Sequence, residues 1–282
     1  MIIDTHTHVF PEKIAEKAIP NMEKAAESRA YTNGTADALS KSMEQADIDI
    51  SVLLPVATNT RQVEKLNTLA IKNNALFEGR GLFSLGAMHP DYEDFKAELV
   101  RLKENGVTGI KIHPAYQNTD LDNKRFLDII YAASELSLAV VTHAGWDIGI
   151  MHHNFASVGH ICNVIKEVNP DKFVLAHLGS WKDWDEVEKT VAGENVYMDT
   201  AFVLGNYEPY DYMNVPEEKT RMLGKEQFER IVKKHGADKI LFGTDSPWSE
   251  QKRTIKKVNA CDFTADEKEL IFSKNAKRVF SI

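Results

Sequence analysis

The sequence predicts a (β/α)8 barrel, the TIM-barrel type of α/β fold, as one domain over residues 1–282. Two observations carry that expectation. Short β-branched or apolar runs recur along the chain, each followed by a stretch with helical periodicity, which is the pattern of βαβ units around a parallel sheet. Eight such runs can be read in 282 residues, the strand number and size of this barrel. A doubly wound open sheet would want a phosphate loop after its first strand, and neither GxGxxG nor GxxxxGK[ST] stands there.

Strands are expected at residues 2–8, 50–57, 82–88, 109–113, 139–143, 173–177, 196–200 and 240–245. Helices are expected between them at residues 91–105, 122–136 and 183–191, each opening on an aspartate that suits the positive end of a helix. Glu104-Asn105-Gly106 and Lys234-His235-Gly236 read as helix stops. Thr264 and Glu267 have the spacing of a capping box opening a last helix through Lys274. Residues 145–157 and 202–225 are long for simple connections and follow strand C-termini, where lids and specificity loops belong.

Composition narrows the function class. Hydrophobic residues make up 43% and charged residues 27%, and the formal charge is -8, so a protein that lives by gripping a phosphate backbone is not expected. No run approaches the roughly 20 apolar residues that span a bilayer, and no basic and apolar leader opens the chain. Cys162 and Cys261 lack CxxC spacing and read as idle thiols. The expectation is a cytoplasmic enzyme acting on a small molecule, binding neither nucleic acid nor membrane, with a homo-oligomer left open.

Chemistry collects at the strand ends. In an extended strand His6 and His8 fall on one face and can reach one ion, and imidazole is the commonest ligand for a divalent transition metal. Histidine accounts for 10 of 282 residues, yet it ends or directly follows five of the eight strands: His8, His89, His113, His143 and His177. Asp199 and Asp245 end two others, and barrel closure brings all these ends into one ring. A buried histidine taken alone is more often a satisfied core residue; the coincidence of several at strand ends favours a site. The adjacent pair His152-His153 diverges in any regular backbone and is not read as a metal pair.

The set "DTHTH", "GIKIHP", "THAG", "AHLG", "FGTDSPW" and "NAKRVF", in order over essentially the whole chain, resembles the amidohydrolase superfamily. More narrowly, it is similar to the branch of aminocarboxymuconate-semialdehyde decarboxylase and related metal-dependent hydrolases. The resemblance implies that His6, His8, His143 and Asp245 bind a divalent metal, most often zinc, with manganese or iron as alternatives. It implies that His177 is either a catalytic histidine or a ligand of a second ion. A zinc with an open position lowers the pKa of its water to about 7, and Asp245 can then serve as ligand and general base together.

Lys111 has two readings: a carboxylated bridge between two metals, or an ammonium gripping a substrate carboxylate. The second, with a single metal, is the expectation. His113 shares the face of Lys111 and joins Trp146, Asp199 and Trp248 as candidate substrate contacts, with Asp199 alternatively orienting His177. The expected reaction is hydrolysis of a small amide, ester or lactone, or alternatively decarboxylation of an aromatic or unsaturated acid. Two other enzyme types open on a D-x-H-x-H strand. A TatD-like nuclease would carry a "GEIGLD"-like stretch where this chain reads "GVTGIKIHP", and a histidinol-phosphatase-type phosphoesterase would carry an early "TDH" where it reads "VLLPVATN".

Overall fold

The computed structural model describes residues 1–76, 79–205 and 207–282. Its parallel strands are β1 (Ile3–Thr7), β2 (Ile50–Leu53), β3 (Leu82–Ser84), β4 (Gly86–Ala87), β5 (Gly109–Ile112), β6 (Ala139–Thr142), β7 (Phe173–Leu175), β8 (Tyr197–Asp199) and β9 (Ile240–Leu241). They hydrogen-bond in the order β1-β2-β3 and β4 through β9. The seam between the two sheets lies within one barrel strand. Leu85, between β3 and β4, still donates its amide to Leu53 O at 3.0 Å. Side-chain amides account for the interruption: Asn74 pairs with both backbone groups of Ser84, and Asn67 Oδ1 accepts from Ala87 N at 2.7 Å. These bonds pair backbone groups that would otherwise be buried unsatisfied.

The ring closes between its last and first strands. Thr5 N donates to Phe242 O at 2.8 Å and Asp245 N to His6 O at 2.8 Å, and Thr7 pairs in parallel with Ser246. Asp4 reinforces this closure, accepting from Thr244 N, Thr244 Oγ1 and Gln251 Nε2. The result is the (β/α)8 barrel, with its third strand in two pieces.

The strands are shorter than the apolar runs that signal them, because the ends of those runs leave the ladder to enter the mouth loops. The helices are α1 (Glu12–Ala26), α2 (Ala36–Ala46), α3 (Val63–Leu76), α4 (Phe95–Glu104), α5 (Lys124–Glu135), α6 (Val158–Val168), α7 (Trp184–Thr190), α8 (Glu217–Thr220), α9 (Lys225–His235), α10 (Gln251–Asn259), α11 (Ala265–Glu269) and α12 (Asn275–Phe280). The expected stops hold: α4 ends at Glu104 before Gly106 (φ 77°), and α9 at His235 before Gly236 (φ 100°). The capping box of Thr264 and Glu267 is formed, but the helix it opens runs past Lys274, through a π-turn at Leu270–Lys274 and into α12. Of the two long loops, residues 202–225 contain α8, and residue 206 lies outside the described residues.

Two apolar layers hold the barrel. The larger lies between strands and helices and includes Ile110, Ile112, Phe126, Phe173 and Phe242. The smaller gathers Ile3, Val52, Leu54, Ala139, Val141, Val174 and Leu241 with Ala276, Val279 and Phe280 of α12. Residues from non-adjacent strands meet only inside the ring, so this second layer is its interior, floored by α12. Above it the inward positions turn polar.

Candidate active site

A one-residue bulge aims the first histidine. Between Asp4 and Thr7 the register advances three residues on β1 for two on β2, and such an insertion re-aims the side chain at that point. His6 thereby enters the mouth beside His8, their Nε2 atoms 3.2 Å apart. Asp245 Oδ1 sits 3.2 Å from His8 Nε2 and 3.5 Å from His6 Nε2. From β6, His143 follows Ala139 and Val141 on the inner face. His177, after β7, places its Nε2 3.1 Å from His143 Nδ1. The rings of His6 and His177 are 5.2 Å apart, so the two pairs adjoin. His177 (φ 58°) and Asp245 (φ 65°) both hold left-handed backbone, a strain of order 1–3 kcal/mol that the surrounding structure must sustain.

Proton accounting shows what these rings can hold. A carbonyl or carboxylate oxygen accepts, so a ring nitrogen whose one partner is such an oxygen carries the proton. His6 Nδ1 donates to Asp199 Oδ2 (2.7 Å), His8 Nδ1 to Leu54 O (2.9 Å), His177 Nδ1 to Ala201 O (2.9 Å) and His143 Nε2 to Trp146 O (3.2 Å). In the neutral tautomers so fixed, the remaining nitrogens all present lone pairs to one another. A second proton does not suit the deepest rings: burial, with Lys111 nearby, holds His6 well below its ordinary value. Burial, with His177 and Lys111, does the same for His143. Facing lone pairs closed by a carboxylate call for a cation. Donors about 2.0–2.1 Å from a zinc sit roughly 3.3 Å apart in a tetrahedron, close to the spacing of His6, His8 and Asp245. The donor set therefore fits a divalent metal, and the oxygens behind the rings are the outer partners such ligands need.

The other expected residues lie in and beside this core. Lys111 is 1% exposed, and among the described residues nothing hydrogen-bonds its Nζ. Burial pushes it down to about 8 against the pull of Asp199, Asp245 and Asp147. His113 stacks on His143 at 4.4 Å and lies 3.7 Å from Asp147 Oδ2. Gln117 braces it, accepting from His113 N and donating to Ala57 O and Met88 O. Asp199 spends one oxygen on His6 and the other on the amides of His177 and Ala201, so both of its oxygens are engaged within the chain. Trp146 contributes its carbonyl to His143. Trp248 lines a neighbouring cleft with Tyr31, Phe202, Tyr207 and Arg253.

Asp147 is the functional candidate that sequence reasoning missed. It is 6% exposed, shares a donor group with His113 and His143, and is pushed by burial up to about 6. Its one signal was an acidic side chain directly after Trp146 in a mouth loop. His143, expected beside His6, His8 and Asp245, belongs by distance to this second group and touches the first through His177.

A family model described as Amidohydrolase matches residues 3–282. The chain belongs to the amidohydrolase family. This is a metal-dependent family of enzymes acting on small molecules. The amidohydrolase chain is similar in fold to 5-carboxyvanillate decarboxylase LigW from Sphingomonas paucimobilis, at TM-score 0.70 and 13% identity over 100% of this chain and 99% of that one. It is similar to a putative 2-pyrone-4,6-dicarboxylic acid hydrolase from Pseudomonas putida, at TM-score 0.63 and 15% identity over 99% and 97%. A third is the 5-carboxyvanillate decarboxylase LigW2 from Novosphingobium aromaticivorans, solved with bound manganese, at TM-score 0.66 and 13% identity over 100% and 97%. Among curated proteins no sequence matches. No helix among the described residues is long and apolar enough to cross a membrane.

Proposed function

We propose that this amidohydrolase, acting as one domain over residues 1–282, hydrolyses an amide, ester or lactone of a small carboxylated molecule, using a single divalent metal, zinc first. The carrying observation is Asp245: an acidic group against the facing nitrogens of His6 and His8, with its backbone strained to hold it there. Burial pushes its carboxyl up, but the neighbouring His6, His8 and His177 bring it below the ordinary carboxylate range. It stays ionised and ready to accept a proton.

His6, His8 and Asp245 would hold the ion, with His143 the fourth expected ligand although it groups with His113 and Asp147, and a bound ion would supply Lewis acidity toward a water and a substrate carbonyl. This chain's own residues do the rest. Asp245 takes the proton of the attacking water at its free oxygen and returns it to the leaving group. His177, its ring held through Nδ1–H to Ala201 O, presents Nε2 to the mouth as a second proton acceptor. Lys111, buried and without a hydrogen-bonding partner among the described residues, receives the substrate carboxylate, and that contact makes up for the desolvation of its ammonium. Two unbridged thiols, Cys162 and Cys261, suit a reducing cytoplasm.

Decarboxylation is the second reading, favoured by one observation. Asp147 lies 3.7 Å from His113 with its carboxyl raised by burial to about 6, which would let it carry the proton that a carbanion left by carbon dioxide must receive. The decarboxylases among the similar folds support it in kind. Screening carboxylated lactones, amides and aromatic acids with zinc- and manganese-loaded protein tests both. Hydrolysis products without carbon dioxide support the first reading; stoichiometric carbon dioxide release from an acid that needs no water addition overturns it.

A further inference from the structure

Away from the mouth, a second group of donors joins two loops. Asp120 follows β5, His153 lies in the loop after β6, and His160 stands in the first turn of α6; their ligating atoms all lie within 4.8 Å of one another. His153 Nε2 hydrogen-bonds Asp120 Oδ1 at 2.7 Å, through a proton that a bound ion would displace, and His160 Nε2 is 3.7 Å from the same oxygen. Behind them stands an ordered outer layer. His160 Nδ1 donates to Asp122 Oδ1 at 2.8 Å, and Asn163 Nδ2 donates to the other Asp122 oxygen at 2.7 Å. This fixes the His160 tautomer, so its Nε2 presents a lone pair to an anionic oxygen. A neutral His160 and Asp120 are two acceptors that cannot hydrogen-bond to each other, and a second proton or a cation between them completes both.

We propose that Asp120, His153 and His160 form a second, surface-accessible site for a borderline divalent cation of the zinc type, with Asp122 and Asn163 as its outer partners. Two imidazoles and a carboxylate suit zinc, nickel or copper better than calcium or magnesium, which take oxygen. Side-chain exposures of 42% for Asp120, 47% for His153 and 24% for His160 leave room for water to complete the coordination. A carboxylate behind a ligating histidine is the arrangement that orients such ligands. The site is separate from the proposed reaction and independent of it.

Its position gives it a consequence. Leu121 N already donates to Phe155 O at 2.8 Å, tying the loop after β5 to the loop after β6. The first of these leads from His113 and Gln117, the second from Trp146 and Asp147. An ion on Asp120, His153 and His160 staples both loops at their outer ends and stiffens that wall of the mouth.

Zinc uptake by equilibrium dialysis, read as a difference between proteins, tests this. Wild-type protein is expected to hold one equivalent more than His160→Ala at micromolar free zinc, with the metal of the mouth unchanged. Asp122→Asn, which removes only the outer partner's charge, is expected to weaken that extra equivalent about 10–100-fold. Added zinc should also slow proteolysis of residues 146–157 in wild type and not in His160→Ala. Should His160→Ala disturb α6, His153→Gln, at a half-exposed loop position, gives the same reading. Equal stoichiometry in wild type and both variants overturns the site, whatever the mouth binds.

Discussion

The two ends of the barrel use buried histidine in opposite ways. At the floor, His235 ends α9 with both ring nitrogens satisfied: Nδ1 accepts from Gly193 N at 3.1 Å and Nε2 donates to Val196 O at 3.0 Å. At the mouth, His6, His8, His143 and His177 are each satisfied on one nitrogen, and the other faces a neighbour's lone pair. Burial depresses His235 as it does His6 and His143, so the shift alone does not separate a ligand from a core residue. Hydrogen-bond accounting does, because a complete ring needs nothing further and an incomplete one requires a partner that the chain does not supply.

Breaking the mouth should cost function and spare the fold, and breaking the floor should do the reverse. The largest effect is expected from His6→Ala with His8→Ala: metal content, by elemental analysis, falls away and activity with it, while the thermal midpoint of metal-free protein barely moves. Full activity without metal would sink the mouth reading. Next, Phe280→Ala opens the floor plug and should destabilise by about 3–5 kcal/mol, read by urea melts, with metal stoichiometry unchanged. Asp245→Asn keeps a ligand oxygen and loses the base, so turnover should drop at least about a hundredfold with part of the metal retained. Undiminished turnover would move the base to His177.

Smaller tests sharpen the contrast. His235 titrates near 4 in the folded chain against 6.5 as a free side chain. Between those values the unfolded chain binds a proton that the native one refuses, so stability is full above about 6.5 and falls as the pH drops toward 4. At about 1.4 kcal/mol per unit the loss is up to about 3 kcal/mol. Urea melts across this window should show a flatter slope in His235→Gln; an unchanged slope would assign the acid sensitivity elsewhere. Smallest, Lys111→Ala should raise KM about tenfold, the order of a charge-assisted hydrogen bond, and leave metal stoichiometry alone. Loss of a second metal in that variant would make Lys111 a bridge.

Motifs at strand ends were readable because alternation and chain order suffice: His6 and His8 two residues apart, Lys111 and His113 likewise, and a histidine or aspartate closing each later strand. Asp147 and the group of Asp120, His153 and His160 were not, since they sit in loops with no period to place them. His153 drew attention only beside His152, although its partners come from other elements. Asp199 was visible as a strand end, while its task, fixing the protonated nitrogen of His6, depends on a pairing 193 residues apart in the chain.

By itself the sequence determined the barrel, since eight apolar runs alternating with amphipathic stretches leave few other ways to bury both faces of a parallel sheet. It also determined which residue types ring the mouth. Only the tertiary structure decided which nitrogen of each histidine is free, that a bulge in β1 turns His6 inward, that the third strand is held in two pieces by Asn67 and Asn74, and that Lys111 has no hydrogen-bonding partner among the described residues. Those outcomes rest on contacts between side chains and backbone groups far apart in the chain, and no local period encodes them.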